Sequence, residues 1–74
     1  MKITQGTVDL MKAFSIAATC NDSIGELREL YRKGLLALAD LSKEEIMTPE
    51  QACSVTDFFR TVIRNEEVRI ENNK

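Results

Sequence analysis

Residues 23–41 read SIGELRELYRKGLLALADL, and the fold follows from their pattern. Ser23 is a natural N-cap: its hydroxyl can accept the amide three residues on, where Glu26 can reach back to the cap amide. Together they spell a capping box. On a wheel of about 100° per residue, Ile24, Leu27, Leu30, Tyr31, Gly34, Leu35, Ala37, Leu38 and Leu41 fall on one broad side, with Glu26, Glu29, Lys33 and Asp40 opposite. Glu29 and Lys33 stand at i,i+4 in the favourable order. The apolar arc is wider than one partner helix needs, so this stretch predicts the central helix of a bundle with a neighbour on each side. Leu36 lies outside the arc, among the charges. Gly34 costs about 1 kcal/mol against Ala in a helix interior, which points to a close approach by another helix or to a local kink.

Upstream, residues 1–6 read as a lead-in, and Thr7 is positioned to cap a first helix over 8–20. Leu10, Met11, Ala13, Phe14, Ala17 and Ala18 share one face of it, with Asp9 in the first turn where the helix dipole favours negative charge. Ile16 lies on the other side. Asn21-Asp22-Ser23 then breaks one helix and caps the next, so the two should pack as an antiparallel hairpin.

Downstream, Ser42-Lys-Glu-Glu45 is a second Ser-x-x-Glu box and predicts a single turn through Ile46 and Met47. Thr48-Pro49-Glu50-Gln51 is the strongest start signal in the chain: Thr as cap, Pro at the first helical position, Gln three residues after the cap. A third helix over 49–65 places Ala52, Val55, Phe58, Phe59, Val62 and Ile63 in one stripe. Asn65 can adopt the left-handed conformation that ends a helix. The alternation of Glu66-Glu-Val-Arg-Ile-Glu71 then predicts a short extended segment with Val68 and Ile70 on one side, followed by a frayed end. The expectation is one all-α domain over residues 1–74: a small three-helix bundle built on an antiparallel helical hairpin, with a short extended C-terminal tail.

Composition bounds what such a bundle can do. The chain has 74 residues, two cysteines and no histidine. Without histidine the usual acid–base residue of neutral pH is missing, and Cys/His zinc sites with it. Cys20 and Cys53, without metal-ligand spacing, read as reduced thiols of an intracellular protein. Glu44, Glu45 and Glu50 cluster at the second connection, where each suits a helix start better than a metal or acid–base site. No apolar run is long enough to span a bilayer, and residues 1–6 lack the apolar core of a signal peptide. The reading is a cytoplasmic chain that is not an enzyme, with no cofactor, no metal and no small-molecule substrate.

A net charge of −2 argues against gripping nucleic acid by bulk charge but leaves room for a local basic patch. Arg60 and Arg64 lie one turn apart on the outer side of the third helix, and Arg28, Arg32 and Lys33 stand on the second. Where these faces adjoin they could touch phosphates or an acidic partner; otherwise they are solvated charge. The candidate contact residues for DNA or an acidic partner are Arg60, Arg64, Arg32 and Lys33. The candidate interface residues are Leu36, Gly34, Leu30 and Ile16.

Leu35-Leu-Ala-Leu-Ala-Asp-Leu41-Ser42, then Thr48-Pro49-Glu50, then Phe58-Phe59-Arg60, and Asn65 with Val68, together resemble the core of small terminase subunits of tailed phages. The shared pattern is a Leu/Ala-rich helix, a polar turn with a Thr-Pro start, and a second helix ending in an aromatic or leucine, a basic residue and Asn. The resemblance implies a non-enzymatic DNA-packaging factor in the host cytoplasm. Such a factor assembles into rings, recognises phage DNA and delivers it to the large motor subunit. Its partners would be further copies of itself, another protein and DNA. A second reading, from the residues alone, is a small phage or bacterial protein that binds a host protein and inhibits or adapts it.

Overall fold

The computed structural model describes residues 4–45 and 47–73, which form three helices: α1 (Gln5–Cys20), α2 (Ile24–Glu45) and α3 (Pro49–Asn72). Each packs against the other two, giving a rod of 42 × 18 × 17 Å.

α1 starts earlier than Thr7 predicts. Thr4 is the cap: its backbone is extended, and its hydroxyl accepts the Thr7 amide at 3.2 Å. Gln5 and Gly6 are therefore helical. Thr7 lies inside the first turn, 1% exposed, its hydroxyl 3.1 Å from that of Thr4. Two threonines three residues apart compete for the cap. The upstream one wins because Thr7 then falls on the core side, one turn before Leu10 and two before Phe14. Ala13, counted on the apolar face in the sequence, is exposed.

Ser23 caps α2, its hydroxyl accepting the Glu26 amide at 3.1 Å, the forward half of the box read there. Ser42 does not begin a new turn. α2 runs on to Glu45, the Ser42 hydroxyl donates back to the Ala39 carbonyl at 2.9 Å, and the Met47 amide closes on the Ser42 carbonyl at 3.3 Å. Nothing in Lys43-Glu44-Glu45 opposes helix, and the first strong stop is Thr48, held out of helical conformation by Pro49. Ile46, assigned to that turn by sequence, lies outside the described residues.

α3 opens with both halves of the Thr48 box: the Gln51 amide donates to the Thr48 hydroxyl at 3.2 Å, and the Thr48 amide to the Gln51 side-chain oxygen at 3.0 Å. Asn65 does not end it. The helix continues to Asn72, so the extended segment expected over 66–71 is helical. In a strand Val68 and Ile70 would share a face; in a helix they point about 200° apart. Val68 is 52% exposed while Ile70 is buried, continuing the Val55–Phe59–Ile63 stripe one heptad on.

The core is Phe14 and Ala18 from α1, Leu27 and Leu38 from α2, and Val55, Phe59, Ile63 and Ile70 from α3. Phe14 stacks on Phe59, and Gly34 of α2 is buried against both rings. Near the other end of α3, Arg69 donates to the Asn21 carbonyl at 2.7 Å, 48 residues away in sequence. α1 and α3 therefore advance in the same sense, with their ends tied at Asn21. Cys20 and Cys53 are free and exposed. Cys53 lies 16 residues before Arg69, about 24 Å along the helix, so the two thiols sit far outside disulfide range.

Candidate functional site

A groove of about 420 Å³ runs between α2 and α3, lined by Arg28, Tyr31, Arg60, Ile63, Arg64 and Glu67. The spacing of these residues explains it. Arg28 and Tyr31 are three apart on the flank of α2 that turns toward α3. Arg60, Ile63, Arg64 and Glu67, at intervals of three and four, line the facing flank of α3. Tyr31 and Ile63 belong to the packed interior, and the arginines extend from its margin into solvent. Three guanidiniums thus face one carboxylate over an aromatic floor. Arg60 lies 3.6 Å from Asp57, but both side chains are about 70% exposed, a pair that solvent screens to little. Among the described residues, Arg28 and Arg64 enter no ion pair. A guanidinium offers five donors in a planar fork suited to carboxylate or phosphate.

Of the four contact residues expected from sequence, the structure brings together Arg60 and Arg64, and joins Arg28 to them. Arg32 stands on the outer face of α2, donating to Glu29 through both Nε and a terminal nitrogen, the shorter contact at 2.5 Å. This hydrogen bond with Arg32 holds the Glu29 carboxyl below its ordinary range, and Arg32 is raised in turn. Lys33 is on the opposite flank, in a shallow groove with Ala17, Asn21, Glu26, Glu29 and Leu30. Arg28 could have been singled out in advance: it lies three residues before Tyr31, on the side of the arc that needs a second neighbour.

The expected interface residues separate. Gly34 is buried inside the chain's own core, so it is spent on α1 and α3 and has no surface to offer another chain. Leu30 is half-buried against that core. Leu36 and Ile16 remain open, 57% and 65% exposed, on the outer faces of different helices. Ile16 rims a second groove of about 460 Å³ between α1 and α3, lined also by Val8, Met11, Lys12, Ser15 and Phe58 and almost wholly apolar. Among the described residues no three of His, Cys, Asp and Glu are grouped to hold a metal ion, and no helix is long and apolar enough to cross a membrane.

Among the described residues, fold and grooves define an all-α three-helix bundle with a cationic and an apolar channel on its surface. The chain matches no family model, no curated protein and no solved structure.

Proposed function

We propose that this chain is a non-enzymatic interaction protein of the cytoplasm that assembles with itself and grips a polyanion, DNA first, in the cationic groove. This is the role that its resemblance to small terminase subunits implies. The observation carrying the reading is the convergence of Arg28 from α2 with Arg60 and Arg64 from α3. The antiparallel hairpin of α1 and α2 is then the scaffold, and α3 supplies two of the three arginines. Guanidiniums would take phosphates as charge-assisted pairs, and Tyr31 would offer a face for a sugar or an unstacked base. Such contacts position a backbone without reading sequence. Because the rest of the chain is slightly acidic, affinity per subunit is low and falls steeply with salt. About three phosphates neutralised, with release of their counterions, give a slope of about −2.7 in log affinity against log salt.

The test is duplex DNA binding by fluorescence anisotropy across a salt series, with native mass measured in parallel. Binding at low salt with that slope supports the reading. No binding at the lowest salt, or tight binding indifferent to salt, would sink it. A second reading, a small protein that binds and inhibits or adapts a host protein, is favoured by the apolar groove between α1 and α3, a shape suited to an amphipathic helix.

A further inference from the structure

We propose that the apolar groove between α1 and α3 receives the outer face of α2 from a second copy of this chain, with Leu36 as the inserted side chain and Asp40 pairing with Lys12. This rests on the self-assembly part of the function proposed above and assigns the surfaces that would carry it.

The two halves of the contact are both on this chain, at the same height, on opposite sides. Val8, Met11 and Phe58 line the groove, and Lys12 is the one charged residue in its lining. Leu36 follows Gly34 by two residues, about 200° around α2. Gly34 faces Phe14 and Phe59, so Leu36 points straight away from the α1–α3 pair, and it is 57% exposed. Because α2 packs on both other helices, its outer face lies across the bundle from the α1–α3 groove. Gly34 is level with Phe14 and Phe59. Leu36 lies about 3 Å farther along α2, which heads toward the N-terminal half of α1 and so reaches the level of Met11, Lys12 and Phe58. A sideways displacement of one copy by the width of the rod, 17–18 Å, brings Leu36 over the groove of the next. Asp40, exposed one turn beyond Leu36, then comes within reach of the long Lys12 side chain. Of the two other exposed large aliphatics, Ile16 rims the groove itself, while Val68 lies ten residues past Phe58, about 15 Å off this level, and cannot be seated by the same displacement.

The contact is heterologous: each copy gives one surface and receives on another. It therefore closes into a ring if successive copies rotate, and runs on as a filament if they do not. Leu36 in an apolar groove supplies the affinity, and the exposed Lys12–Asp40 pair sets the register.

The experiment is sedimentation velocity and native mass spectrometry of the full chain over a concentration series. The variants are Leu36→Glu, Lys12→Glu, Asp40→Lys and the double Lys12→Glu/Asp40→Lys, each checked for helicity and thermal unfolding. All the altered side chains are exposed, so the fold should persist. The proposal expects an assembling wild type and a dissociation constant raised about thirtyfold or more in Leu36→Glu. It also expects weaker assembly in each single charge reversal and recovery in the double. If the wild type assembles and Leu36→Glu does so equally well, this contact is wrong while self-assembly stands. If the charge swap fails to recover what the single reversals lose, the Lys12–Asp40 register is wrong. If the wild type is a monomer at every concentration, the contact and self-assembly both fall, the groove passes to a helix of a different protein, and the DNA titration still judges the cationic groove.

Discussion

Phe14 and Phe59 stack with ring centroids 4.1 Å apart and planes 18° from parallel. One ring comes from α1 and the other from α3, and the backbone of α2 closes against both at Gly34. This is the point where all three helices meet. Both rings are buried, so neither can easily swing aside.

A methyl group at Gly34 would lie 2.7 Å from Phe14 Cε2, 2.8 Å from Cδ2 and 3.4 Å from Phe59 Cε2. The helix-propensity gain of about 1 kcal/mol is opposed by overpacking of about 1–3 kcal/mol. Gly34→Ala should therefore destabilise by about 1 kcal/mol in urea unfolding. Gly25, with nothing within 4 Å of its added carbon, should gain up to about 1 kcal/mol on the same change. Equal gains at both sites would show that the stack yields freely.

Arg69 bonds the Asn21 carbonyl at 2.7 Å and Glu66 at 2.5 Å, joining the last turns of α3 to the end of α1. Its side chain is 36% exposed, so a charge-assisted bond is discounted to about 1 kcal/mol. Arg69→Met should cost that much and raise amide exchange over the last two turns of α3. Unchanged exchange there would mean that Ile70 alone holds this end.

The two Ser/Thr boxes around the second connection should respond differently. Thr48 caps α3 in both directions, and Thr48→Ala should cost about 1 kcal/mol. Ser42 sits within α2 with its hydroxyl turned back on the Ala39 carbonyl, so Ser42→Ala should change stability by less than about 0.5 kcal/mol. A comparable loss at both positions would restore Ser42 as a helix start.

Glu29 is held below the ordinary glutamate range by Arg32. A folded pKa below the unfolded one makes the pair's contribution complete above the ordinary range, near pH 4.3, and lost as pH falls through the depressed folded value. A carbon-detected NMR titration should place Glu29 below the ordinary glutamate value, and Arg32→Gln should return it there. An unshifted Glu29 in the wild type would mean that the pair is not populated in water.

Reversing two of the three groove arginines, Arg60→Glu with Arg64→Glu, should cut DNA affinity at least about tenfold at low salt and reduce the salt slope to about −0.9. Lys33→Glu, on the far flank of α2, should have a far smaller effect. If Lys33→Glu weakens binding as much as the double change, the phosphates follow overall charge and the groove has no special part.

The local code of this chain was legible without coordinates. Ser23 and Thr48-Pro49-Gln51 announced two helix starts because capping satisfies amides within three residues, a matter of neighbours alone. The wide arc of residues 23–41 announced two partners, and Phe59, Val55 and Ile63 the core stripe. What misled was also local. Asn65 and the Val68/Ile70 alternation fit a stop and a strand equally well in isolation, and Ser42 fits a start. Only packing decides such cases: Ile70 buried and Arg69 tied to Asn21 keep α3 helical to Asn72, and α2 runs on through Ser42 to Glu45. The groove belongs to tertiary structure for the same reason. Arg28 and Arg64 are 36 positions apart, and no periodicity within one helix can say which flank of another it will meet. The sequence by itself determined three amphipathic helices and two of their starts, because caps and stripes are set by residues within a turn or two. The tertiary structure decided that Gly34 turns inward, that Leu36 and Ile16 point apart, and that three arginines share one channel, because these depend on how the helices rotate against one another as they bury Phe14 and Phe59.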